Sequence, residues 1–158
     1  MLRRSFLSGV LLIGLLTAPT LALAQSAGGW TTFTDDRGTQ VEYPSYVFSN
    51  SSRSPKGRTF STHDGRASID VYTSSNEQGE RPAHLLRRMF PQPRSRLSYE
   101  RVTNNFFAVS AAQNNRVLYQ RCNFHGSTLH CFDLTYPLAE KRQWDATVTR
   151  ISRSLRRI

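Results

Sequence analysis

The sequence predicts an α+β fold: a single antiparallel sheet of about six to eight strands, in the order ββββ-α-ββββ-α, packed with two helices. Three observations predict it. Short runs rich in β-branched and aromatic residues are separated by turn signals, as in an antiparallel meander. Two stretches carry the helical period instead, one after Pro82 and one at the C-terminal end. Finally, Cys122 and Cys131 fall opposite each other across a predicted hairpin, which they would staple.

Taken from the start, residues 1–24 read as a cleaved signal peptide. Arg3 and Arg4 give a charged start, Phe6 to Leu16 an apolar run, and Ala22-Leu23-Ala24 a small-x-small cleavage site. No cysteine follows that site, so a lipoprotein anchor is not indicated. Residues 25–29 form a flexible lead-in, and 30–158 a single α+β domain. Export and an even cysteine count agree on an oxidising compartment, periplasmic or secreted, in a Gram-negative bacterium. No transmembrane span is expected once the leader is removed.

Trp30 to Thr34 reads as a first strand, Asp35-Asp36-Arg37-Gly38 as a turn, and Gln40 to Pro44 as a second strand. Ser49 to Gly57 is expected to be an exposed, mobile loop. Asp64-Gly65 marks a hairpin between Thr59–Thr62 and Ala67–Tyr72. Pro82 suits the first turn of a helix whose stripe is Leu85, Leu86, Met89 and Phe90, before Pro91 stops it. Leu97 to Val102 is a further strand. Phe106–Ser110, Val117–Phe124 and Leu129–Tyr136 make a meander turned by Asn114-Asn115 and by Gly126-Ser127.

With Gly126 and Ser127 as the loop, Cys122 and Cys131 occupy a non-hydrogen-bonded pair, where Cα atoms come within about 4.5 Å. Closing that loop is worth about 2.5–3 kcal/mol in the chain-entropy model. A metal site from Cys122, His125, His130 and Cys131 is disfavoured, because His130 and Cys131 point to opposite faces of one strand. The last helix presents Trp144, Val148, Ile151 and Leu155 on one face.

The residues Trp30, Tyr43-Pro44, Phe48 and Gly57-x-x-Phe60-x-x-x-Asp64-Gly65-x-Ala67 resemble those of small exported bacterial proteins of unassigned function. The ending Trp144-Asp145-x-x-Val148-x-x-Ile151-x-x-Ser154-Leu155 resembles the same group. The strand–helix order is also similar to the PsbP/Mog1-like sandwich. That resemblance implies a binding or accessory module without chemistry of its own.

A small hydrolase using His63 or Asp64 is the second alternative to a binding role, motivated only by the adjacency of those two residues. Ser61, His63 and Asp64 hold the letters of a hydrolase triad, but Asp64 enters the turn and a relay through His63 is awkward. Asp133 and Glu140 read as isolated carboxylates. The Asp35-Asp36-x-Gly38 turn lacks the ligand spacing of a calcium loop, and there is no phosphate loop or zinc-protease histidine pair. Neither a cofactor nor a resident metal is expected.

The formal charge is +10, and Lys56 and Lys141 are the only lysines. Arginine binds phosphates and carboxylates in a fork, although an arginine-rich codon preference would give the same count. The cations fall in three groups: Arg53, Lys56 and Arg58; then Arg87, Arg88, Arg94 and Arg96; then Arg150, Arg153, Arg156 and Arg157 on or beside the last helix. Arg87, Arg88, Arg94, Arg96, Arg150, Arg153 and Arg157 are the candidate anion-binding residues. Export argues against nucleic acid, leaving an envelope protein, an anionic envelope polymer or lipid headgroups as partners.

Overall fold

The computed structural model describes residues 29–91 and 97–158, and ten strands and two α-helices lie within them. The signal-peptide reading, the lead-in up to residue 28, and Arg94 and Arg96 lie outside the described residues. The strands form two sheets where the sequence suggests one. A large sheet has the order β3-β4-β5-β9-β8-β7-β6, and a small one the order β1-β2-β10.

β1 (Trp30–Thr34) and β2 (Thr39–Pro44) form a hairpin. Pro44 ends β2, and the amides of Val47 and Phe48 both bond back to its carbonyl, which turns the chain away from the hairpin. β3 (Asn50–Arg53) therefore pairs with β4 (Gly57–Ser61) and not with β2. This corrects the expected Ser49–Gly57 loop: part of it is a fully exposed edge strand, built from serines that carry no alternation.

β5 (Ser68–Ser75) returns beside β4 and pairs along its other edge with β9 (Thr128–Pro137). α1 (Pro82–Met89) starts at its proline and ends before Pro91, with Leu85 and Leu86 buried. β6 (Leu97–Val102), β7 (Phe106–Gln113) and β8 (Arg116–His125) complete the meander with β9. Asn114 and Asn115 both hold positive φ, 51° and 59°, as a tight hairpin loop requires. The second hairpin keeps the predicted register, with Cys122 opposite Cys131, their Cα atoms 4.2 Å apart and their sulfurs joined.

α2 (Lys141–Ser154) buries Val148 and Ile151, and Leu155 follows just past its end. The chain then adds a short strand, β10 (Arg156–Arg157), to the free edge of β2.

The large sheet is thus covered on both faces. α2 and the small sheet bury Val41, Tyr43, Phe60, Phe132, Leu134 and Ile151 on one side. α1 closes the other over Phe107, Val109, Leu129 and the disulfide. β6 and the adjoining part of β7 run beyond the cover of α2, and this overhang creates the site described next.

Candidate functional site

Period-two alternation sends Phe106, Ala108 and Ser110 of β7 to the face that carries α2. Ser110 pairs with Tyr119 of β8 and Tyr99 of β6, and Ala108 pairs with Arg121 and Arg101. A row of small side chains therefore lies between two rows of large ones. The result is a groove of about 380 Å³, floored by Ala108 and Ser110 and closed on one side by Thr149, Ser152 and Arg153 of α2.

The groove is cationic and aromatic. The Arg121 guanidinium lies 4.3 Å from the Phe106 ring centroid, and that of Arg101 lies 5.5 Å away. Across the floor, the Tyr99 and Tyr119 rings stack at 6.3 Å. Tyr119 Oη and Ser152 Oγ are 2.8 Å apart in a buried hydrogen bond, and Arg121 donates to the same Ser152 hydroxyl at 3.2 Å. Burial raises the Tyr119 phenol above its ordinary value, so it stays neutral, while desolvation lowers Arg121. Among the described residues, Arg101, Arg121 and Arg153 have no carboxylate within salt-bridge distance. Arg121 is the partly buried one of the three, whereas Arg101 and Arg153 are exposed. A desolvated guanidinium without an acid partner is costly in a way that an anionic ligand would relieve.

The cations singled out from the sequence do not form one surface. Arg87 and Arg88 lie on α1, over the opposite face from α2, and Arg88 donates to Glu80 at 2.5 Å. Arg150 stacks on Trp30 at 4.0 Å and reaches Glu42 at 3.4 Å, tying α2 to the β1–β2 hairpin. Arg153 lines the groove, whereas Arg157 sits on β10. Arg101 and Arg121 were missed as site residues. Their signal is Tyr99-x-Arg101 and Tyr119-x-Arg121 flanking Ala108-x-Ser110, which the Asn114-Asn115 turn brings into register.

The triad letters do not assemble. Asp64 accepts from Arg66 Nε at 2.6 Å and from the Thr62 hydroxyl at 2.6 Å, and these bonds hold its carboxyl far below the usual range. It locks a turn and does not orient His63. Arg66 also reaches Glu140 at 2.6 Å, and Glu140 accepts from Trp144 Nε1, so Glu140 is not isolated. Nor is Asp133, which pairs across strands with Asp70 and accepts from Tyr72 and Gln120. Cys122 and Cys131 are bonded to each other and cannot serve as metal ligands.

The solution structure of the cyanobacterial PsbP protein CyanoP from Synechocystis sp. PCC 6803 superposes on this chain with a TM-score of 0.64. The match covers 91% of this chain and 99% of that one, at 10% identity. The fold is PsbP-like. No family model matches the sequence, and none of the curated proteins matches it either. The PsbP-like relation therefore concerns architecture alone.

Proposed function

We propose that the chain is an exported, non-catalytic accessory domain that binds an anionic component of the cell envelope through the groove between α2 and β6. The observation that carries this reading is the set of three guanidiniums, Arg101, Arg121 and Arg153, beside the rings of Tyr99 and Phe106 and without a carboxylate partner among the described residues. Forked donors over aromatic faces match carboxylate or phosphate groups presented along a chain. The PsbP-like architecture supports a binding role over turnover, as does the engagement of Asp64 with Arg66 and Thr62. The buried disulfide supports an extracytoplasmic location, with residues 1–24 as the leader and 30–158 as the domain. Among the described residues no helix is long and apolar enough to cross a membrane.

The test is capture from envelope extract by the mature protein and by an Arg101→Gln/Arg153→Gln variant, at low and high salt. The native protein should retain a component that the variant loses, with retention falling as salt rises. Equal capture by both proteins would refute the groove, and a turnover activity abolished by one polar substitution would refute the accessory role.

A further inference from the structure

Past Phe106 and Arg121, a second depression of about 440 Å³ opens between β10 and the β8–β9 hairpin. Its walls include Arg121, Asn123, His125, His130, Arg156 and Arg157. His130 is the unusual member. It is 2% exposed, and its Nε2 has no hydrogen-bond partner among the described residues.

Its other nitrogen ends a chain of hydrogen bonds between the two sheets. His130 Nδ1 lies 2.7 Å from Thr39 Oγ1, which lies 2.5 Å from Thr73 Oγ1. Thr73 Oγ1 donates to Asp35 Oδ2 at 2.7 Å. A carboxylate only accepts, so the Thr73 proton goes to Asp35 and the Thr39 proton to Thr73. The Nδ1 proton must then supply Thr39. The chain runs one way and fixes the tautomer: Nδ1 carries the proton, and Nε2 carries a lone pair that no donor among the described residues meets.

Arg121, Arg156 and Arg157 have no carboxylate within salt-bridge distance among the described residues. That charge disfavours a metal cation at the Nε2 lone pair and favours an anion that brings a proton. We propose that the depression binds a phosphate-class oxyanion, which gives one proton to His130 Nε2 and remains as the dianion between the arginines. The imidazolium then donates to it from Nε2, and Nδ1 keeps its bond to Thr39.

The charged groups around His130 decide where this happens. Asp35 favours the imidazolium, while Arg157 on β10, His125 at the end of β8 and Arg37 in the β1–β2 turn oppose it. Burial is the largest effect, and it holds the imidazole below its ordinary value. At neutral pH the ring is therefore neutral until an anion offsets the arginines. This site goes beyond the groove and does not depend on it.

The experiment is a titration of the mature, oxidised protein at pH 7, following histidine ring nitrogens by NMR. Inorganic phosphate and vesicles of phosphatidic acid in neutral lipid are the two parallel probes. The expected result is a shift of His130 Nε2 from the lone-pair to the protonated position, saturable and following a single-site isotherm up to millimolar phosphate. A response to either probe supports the site, and their comparison tells free phosphate from a headgroup. Arg157→Gln, an exposed substitution, should weaken binding about tenfold, and Arg153→Gln in the groove should leave it unchanged. An unmoved Nε2 signal with millimolar phosphate, or native affinity in Arg157→Gln, overturns the proposal. Because Arg157→Gln leaves the buried relay intact, the test survives even if His130→Gln fails to fold.

Discussion

Asp133 on β9 faces Asp70 across the β5–β9 ladder, an arrangement of like charges that costs stability when both are ionised. Asp70 accepts from the Thr59 hydroxyl, while Asp133 Oδ1 accepts from Tyr72 Oη at 3.0 Å and Gln120 Nε2 at 2.7 Å. Burial outweighs those two bonds and pushes the Asp133 carboxyl above its ordinary 3.8. A raised value means that the folded state holds the proton more tightly than the unfolded chain does. The associated stability is complete below 3.8 and is lost as pH rises through the folded value. Asp133→Asn keeps the acceptor oxygen and removes the charge. The variant should match the native protein in urea unfolding near pH 3 and be the more stable of the two at pH 7. A variant less stable at pH 7 would show that the charge is compensated locally.

The end of α2 and the edge of β2 meet at one side chain. β10 pairs Arg156 with Gln40 and Arg157 with Thr39, and continuing that register backwards places Ser154 opposite Glu42. There the backbone is already helical, so the Ser154 hydroxyl replaces the missing strand and accepts from the Glu42 amide at 2.8 Å. Ser154→Ala leaves that amide without a partner and should cost about 1–3 kcal/mol in chemical unfolding. Replacing both Cys122 and Cys131 by alanine should cost about 2.5–3 kcal/mol from the reopened loop, read in the same assay. These two sites also separate what the sequence shows from what it hides. The disulfide pairing is a matter of turn length and period two, so counting residues recovers it. β10 and β3 are not recoverable in that way, because Arg156-Arg157 and Asn50-Ser51-Ser52-Arg53 are short, exposed and without alternation. The split into two sheets follows from those two strands. It was hidden with them, and so was the His130 relay, whose members come from β2, β5, β9 and the β1–β2 turn.

At the scale of the molecule, the groove and the depression are neighbours that share one wall. Phe106 and Arg121 line both, Arg153 lines only the groove, and Arg156 and Arg157 line only the depression. This sharing gives a pattern that neither site alone would produce. Arg153→Gln should weaken capture of the envelope component and spare phosphate binding, while Arg157→Gln should do the reverse. Arg121→Gln should weaken both, each by about tenfold if one charge-assisted hydrogen bond is lost from each ligand. It also removes the cation stacked 4.3 Å from Phe106, so unfolding must be measured alongside to confirm that the fold persists. Both binding reactions should fall with ionic strength, since Arg101 and Arg153 in the groove and Arg156 and Arg157 in the depression are all exposed to screening. Equal loss at both sites from Arg153→Gln would mean one continuous anionic ligand spans them. The groove and depression would then be two ends of a single surface running from α2 to β10.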